Sequence, residues 1–313
     1  MIRLFLVLFA LTQFALTQTF TYKAINIAGA TETQVRGVNS SGEIVGFYKT
    51  TSCVENHIQF PNCPVHGFKI VNGVLTKLLV PNSTWTAIMG VNDYGDLVGF
   101  ALTTPEAAGT GFLWKHQNTI RFFSAPGTGP NSDIHTVPMS VNKALIIGGA
   151  DWFFSDSNPT GGWVWANGTF GVMNPGDNSG TCCPQGEGVN GVSNNGFLSG
   201  QNIYNGFGSA WFKSAKDEDF YLRNGTNTVG TGVNSNGDVI GFSVASGKGY
   251  FAKNIEANEG TNDAVETKPS FITVAFPNAK ATYPFGLSDK RVIGGTYVDS
   301  KGGIHGFIAT PNF

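Results

Sequence analysis

Charge is what this sequence has least of. Asp, Glu, Lys and Arg make up only 13% of its 313 residues, and 19 basic against 21 acidic side chains leave a formal net charge of −2. No basic block or stripe interrupts that balance, which excludes tight nucleic-acid binding and an anionic-membrane surface. Beyond Leu16 there is no long apolar run, so no membrane-spanning helix is expected in the rest of the chain. Four cysteines are present and none has Cys-x-x-Cys spacing, which removes zinc-ribbon and thioredoxin-like readings. Walker A loops, nucleophile elbows and His-Glu-x-x-His motifs are also missing, so the sequence advertises no standard catalytic chemistry.

Glycine (42) and phenylalanine (25) are abundant by contrast, a composition suited to short strands separated by tight turns. At the N-terminus, Arg3 precedes an apolar run from Leu4 to Leu16 and a small-residue exit at Ala15-Leu16-Thr17, the pattern of a secretory signal peptide. Residues 1–17 are therefore expected to direct export, leaving 18–313 as a single secreted domain, extracellular or periplasmic. In an oxidising compartment an even cysteine count permits disulfides. Cys53 with Cys63 and Cys182 with Cys183 are the expected pairs, the first closing one loop.

One phrase then recurs six times. Gly37-Val38-Asn39-Ser40-Ser41-Gly42-Glu43-Ile44-Val45-Gly46 returns as Gly90 to Gly99, Ser140 to Gly148, Gly191 to Gly200, Gly232 to Gly241 and Gly286 to Gly294. The Asn/Ser anchors at 39, 92, 142, 193, 234 and 288 give a period of about 50 residues, the mark of a repeat architecture. Within the first unit, a strand from Gln34 enters the turn Asn39-Ser40-Ser41-Gly42 and returns as Glu43 to Tyr48. A third strand, His66 to Val71, meets Asn72-Gly73, a strong hairpin signal, and a fourth runs from Val74 to Val80. Four antiparallel strands per repeat is the content of a propeller blade. The sixth unit lacks its fourth strand, but Thr19 to Ile27 reads like Ser270 to Phe276 and supplies it. The fold class is therefore all-β, a six-bladed β-propeller whose last blade is closed by the N-terminal strand, with no free inner edge.

The repeated Gly at 37, 90, 191, 232 and 286, with Ser140, fits the crowding of six inner strands toward one axis. The anchor Asn and Ser residues fit local turn bonding to nearby backbone. Copies three and six lack the turn Gly and read one residue shorter, which predicts tighter hairpins there.

The phrase, with the third-strand starts His66-Gly67-Phe68 and His305-Gly306-Phe307 and the looser Gly111-Phe112 and Gly249-Tyr250-Phe251, resembles the HAF-repeat exported protein family. The resemblance covers residues 20–313. It implies an exported repeat protein and no settled activity. Gly replaces the middle Ala here, and the His is kept in two repeats only.

Connections between second and third strands, and between blades, share one end of the ring. They are long at 49–65, 101–110, 124–136, 150–161 and 175–189, and long loops on a rigid scaffold are where function concentrates. His135, Asp133, His66, His305 and Asp151 are the candidate acid/base groups. Trp152, His135, His57, Asp151 and Trp85 are the candidate ligand contacts, and Trp163 and Trp165 alternate along a strand, which places at least one in the core. Asp156, Asn158 and Thr160 resemble the first half of a calcium loop, but Asn167 stands where the closing bidentate Glu belongs. No cofactor is implied. The reading is an exported, monomeric, non-catalytic binding scaffold for an extracellular polysaccharide or surface protein. The alternatives are a secreted hydrolase or lyase with its site at the axial mouth, and an adhesive or matrix protein.

Overall fold

A computed structural model describes residues 19–51, 64–102, 109–126, 134–153, 159–173, 188–204, 207–213, 219–222, 227–255 and 271–313. Six four-stranded antiparallel sheets form the blades. Blade one holds β2 (Glu32–Val38), β3 (Ile44–Lys49), β4 (His66–Val71) and β5 (Val74–Leu78). Blade two holds β6 (Trp85–Val91), β7 (Leu97–Leu102), β8 (Thr110–Trp114) and β9 (Ile120–Phe123). Blade three holds β10 (Ile134–Val141), β11 (Ile147–Phe153), β12 (Pro159–Ala166) and β13 (Thr169–Met173). Blade four holds β14 (Gly188–Val192), β15 (Leu198–Tyr204), β16 (Phe207–Lys213) and β17 (Asp219–Leu222). Blade five holds β18 (Thr228–Val233), β19 (Val239–Ser243), β20 (Lys248–Ala252) and β21 (Phe271–Val274). Blade six joins β22 (Ala281–Leu287), β23 (Ile293–Val298) and β24 (Ile304–Pro311) to β1 (Phe20–Ile25). Phe20 lies opposite Pro311 and Ile25 opposite Gly306, so the first strand closes the last blade as the sequence predicts. The protein is a six-bladed β-propeller.

Three repeated contacts explain the repeated residues. The inner-strand glycines touch one another around the axis: a Cβ on Gly37 would come 3.3 Å from the Cα of Gly90, and one on Gly286 would come 2.8 Å from the Cα of Gly37. The glycine that ends the phrase is constrained differently. Gly46, Gly99, Gly149, Gly200, Gly241 and Gly295 each lie beneath a third-strand aromatic ring: Phe68, Phe112, Trp163, Trp211, Tyr250 and Phe307 respectively. A Cβ at any of the six would also run into a carbonyl oxygen of the inner strand, at Gln34, Ala87, Val137, Gly188, Val229 or Tyr283. The aromatic therefore packs where a side chain on the second strand cannot exist.

The anchor asparagines do more than shape their own turns. The Oδ1 of Asn39 accepts from the amides of Ser41 (3.1 Å) and Glu43 (2.9 Å), the expected local role. Its Nδ2 crosses to blade two and donates to Asn92 O at 2.9 Å. Asn92 donates to Asn142 O (3.0 Å), Asn142 to Ser193 O (2.9 Å) and Asn234 to Ser288 O (3.2 Å). In blade four the anchor is Ser193, and Asn195 makes the crossing to Ser235 O at 2.9 Å instead. One amide thus satisfies its own hairpin and latches the next blade.

Copies three and six are not shortened at the turn. Leu145 N donates to Asn142 O as Gly42 N does to Asn39 O, and Leu145 and Arg291 take left-handed φ values of 61° and 64° at the glycine position. Gly149 and Gly295, rather than Gly148 and Gly294, fill the place of Gly46 in the register. The hairpins keep their length because two bulky residues accept a conformation that costs a non-glycine residue roughly 1–2 kcal/mol.

Candidate ligand site: the axial channel and the long-loop face

Each inner strand carries one β-bulge, between residues 35/37, 88/90, 138/140, 189/191, 230/232 and 284/286. A bulge leaves one residue out of the ladder and re-aims its side chain. The six bulged residues, Arg36, Met89, Met139, Asn190, Thr231 and Phe285, together line an axial void of about 300 Å³. Sequence reading missed this ring, because a bulge does not interrupt the repeated phrase and its six residues share no type. The ring is chemically lopsided. Arg36 lies 4.0 Å from the centroid of Phe285 and 5.1 Å from that of Phe47, and its Nη2 donates to Gln34 Oε1 at 2.7 Å. Two methionines occupy the next two blades. Across the axis, Asn190 donates to Gly230 O at 2.8 Å and Thr231 to Pro284 O at 2.7 Å.

Toward the tight-turn end the channel meets a second ring, built from the residue that follows each anchor. Asp93, Asn194 and Asp289 accept the backbone amides of Ser40, Lys143 and Ser235 at 2.8–2.9 Å. Those bonds fix the orientation of the Asn194 amide, whose Nδ2 then lies 3.3 Å from both Asp93 Oδ2 and Asp289 Oδ2. Lys143 Nζ reaches Asp93 Oδ2 at 3.2 Å. Burial pushes the Asp93 carboxyl up, but the Ser40 amide and Lys143 outweigh it, so the group sits below the usual carboxylate range. Three of six blades thus tie the mouth together across the axis.

Most long connections leave the other end, the exception being 253–270 between β20 and β21. Those following β3, β7, β9 and β13 belong to blades one to four, whereas β11 and β12 are joined as closely as β23 and β24, and blades five and six carry short turns there, as in the Asp299–Gly303 hairpin. The strands run further toward this end than the sequence suggests. His135, Asp151 and Trp152 are strand residues, with His135 paired opposite Trp152 and Asp151 opposite Thr136. Edge pairing extends the ladder through residues read as loop.

His135 is buried, and its Nδ1 faces the amide of Gly109 at 2.5 Å. Asp151 accepts the indole N–H of Trp163 at 3.1 Å. Burial pushes its carboxyl up to about 7 despite that bond. His305 lies between Asn26 Oδ1 (2.9 Å) and Asp299 Oδ2 (3.1 Å) and stacks on Tyr297, whereas His66 packs against Tyr48. Trp85, 4% exposed, is part of the core with Phe47, Phe100 and Val137, and Trp163 and Trp165 are likewise buried. These three indoles complete blade packing and offer no free stacking platform. Of Trp152 and Thr160 only the backbone is described. His57, Asp133, Asp156, Asn158 and all four cysteines, with the disulfide pairing assigned to them, lie outside the described residues. Among the described residues no three His, Cys, Asp or Glu side chains gather as a metal site, and no helix is long and apolar enough to cross a membrane.

The class of protein is set by its fold. No family model matches the chain, and no curated protein matches it in sequence. Solved structures do match in shape. The luciferin-regenerating enzyme is 9% identical with a TM-score of 0.56, the match covering 94% of this chain and 96% of that one. Streptogramin B lyase is 11% identical over 93% of this chain and 98% of its own, with a TM-score of 0.49. TolB from Acinetobacter baumannii is 14% identical over 79% and 65%, with a TM-score of 0.44. At these identities the likeness is one of fold alone.

Proposed function

We propose that this protein is an exported, monomeric binding scaffold of the HAF-repeat type, which recognises an extracellular polysaccharide or surface protein through its long-loop end. The observation that carries this reading is the placement of the long connections: four of the five longest leave the same end of a closed ring, all on blades one to four, and the fifth, 253–270, leaves the other. A rigid ring that gathers most of its long connections at one end is suited to recognition, with the strands below holding the loop bases fixed. Among the described residues the two His–carboxylate pairs, His305–Asp299 at 3.1 Å and His116–Asp96 at 2.8 Å, sit on different blades and opposite ends. That separation supports binding over acid/base turnover.

The test is a glycan array, with and without calcium, followed by titration of any hit against Trp152→Ala and His57→Ala. Trp152 lies near the end of β11 and His57 falls in the sequence between β3 and β4, and a loss of at least tenfold (about 1.4 kcal/mol,) is the expected result. His135→Ala is unsuitable because that ring is buried in blade three. Binding that survives both changes would refute the assignment of the face. A second reading, a hydrolase or lyase, rests on Asp151, whose carboxyl is held near neutrality at the same end. Turnover of the hit, abolished by Asp151→Asn, would replace the scaffold with the enzyme.

A further inference from the structure

The opposite end of the ring has its own groove, independent of the long loops. It lies between blades two and three, is an open depression of about 880 Å³ counted with its solvent-filled mouth, and is built from three tight turns. Lys115, Gln117, Thr119 and Arg121 come from the outer hairpin of blade two, and Leu145, Trp165 and Asn167 from blade three. Among the described residues no carboxylate lines it. Cations are scarce in the chain, and three of them elsewhere are engaged: Lys49 pairs with Glu32, Lys143 with Asp93 and Arg291 with Asp238. Neither the Lys115 nor the Arg121 side chain has a hydrogen bond or ion pair among the described residues.

Arg121 is nevertheless positioned. Its guanidinium lies 4.9 Å from the centroid of Trp165, which also stacks with Phe123 at 5.2 Å and 12°. Stacking occupies the guanidinium face and leaves its in-plane N–H groups for a partner, and a pre-ordered Arg fork matches a carboxylate with two parallel bonds. The floor is apolar because Leu145 holds a left-handed turn position that is glycine in four of the other five repeats. From there its side chain joins the Trp163–Trp165 cluster. Gln117, Thr119 and Asn167 add uncharged amides and a hydroxyl. Two cations, neutral hydrogen-bonding side chains and a small apolar floor fit a ring that bears one carboxylate, several hydroxyls and a C–H face.

We propose that this groove binds an acidic saccharide through the carboxylate of a uronate unit, with Arg121 as the bidentate contact and Lys115 as the second charge. The site is at the opposite end from the long-loop face, so its failure would leave that reading intact, and the reverse.

The experiment is calorimetric titration of the full chain with short oligogalacturonates, beside the same oligomers methyl-esterified, dextran sulfate and poly-glutamate. Binding of the free acid, at least tenfold weaker for the ester, is the expected result. Arg121→Gln and Lys115→Gln should each weaken it at least fivefold. The Lys115 side chain makes no hydrogen bond, ion pair or ring contact among the described residues, so its variant keeps the test valid if Arg121→Gln loses stability. No binding of the free acid, or equal binding of the ester, would overturn the proposal. So would equal or tighter binding of dextran sulfate or poly-glutamate, since either shows a generic anion or peptide site.

Discussion

Replacing Gly99 with alanine tests the aromatic-over-glycine contact that all six blades share. The added Cβ would meet the carbonyl oxygen of Ala87 on one side and come 3.0 Å from the Phe112 ring on the other. Neither neighbour can move aside cheaply. The carbonyl belongs to an inner strand locked between blades, and Phe112 is wholly buried. Overpacking of a core costs typically 1–3 kcal/mol, and a clash with backbone places this change at the upper end, about 3 kcal/mol. At about 2–4 °C per kcal/mol for a large domain, melting should fall by roughly 6–12 °C. Gly161→Ala is the matched control, since a Cβ there meets nothing within 4 Å and the backbone is not left-handed. It should stay within about 0.5 kcal/mol of the parent. Urea unfolding followed by tryptophan fluorescence measures both. A Gly99→Ala protein as stable as the parent, or a Gly161→Ala protein equally destabilised, would refute the explanation of the repeated glycine.

Deleting residues 19–27 removes β1 and leaves the β24 edge open in blade six, so the truncated chain should lose its cooperative transition and aggregate; size-exclusion chromatography and a melting curve decide this. Arg291→Ala withdraws a guanidinium that reaches Asp238 at 2.7 Å, leaving a fully buried carboxylate with, among the described residues, its Asn234 and Asn254 donors; the expected loss is about 2–3 kcal/mol, and a double-mutant cycle with Asp238→Asn should show strong coupling. The Asp151 carboxyl, raised to about 7 when folded, binds its proton more tightly folded than unfolded. Its contribution is present below the unfolded value, near 3.8, and is lost as pH rises toward 7, so urea midpoints of the parent relative to Asp151→Asn should fall across that window and level off above it. A pH-independent difference between the two would exclude Asp151 as the titrating group.

The period, the hairpin turns and the spare N-terminal strand were legible because each rests on local chemistry: Gly and Asn at the turns, alternating apolar residues between them, and a strand-like segment at one end to match the one missing at the other. Those features determine blade number, strand order and closure without reference to any long-range contact. The axial ring was not legible. A bulge is a property of pairing between two strands, so Arg36, Met89, Met139, Asn190, Thr231 and Phe285 share a position but no common side chain that a reader could align. The second use of Asn39 was hidden for a related reason. A turn asparagine looks self-sufficient in sequence, and only the approach of the next blade brings Asn92 O within reach of its free amide. Alternation along a strand placed at least one of Trp163 and Trp165 in the core and Trp85 read as a ligand contact, whereas packing between blades buried all three. Leu145 and Arg291 show the limit most clearly. Their turns look shortened in the sequence, yet cross-blade constraints hold the hairpin length fixed and move the cost into the backbone of two residues. Local propensity determined what each repeat is. The ring, which forces six near-identical units to share one axis, decided which side chains face that axis, which latch blade to blade, and which remain free to meet a ligand.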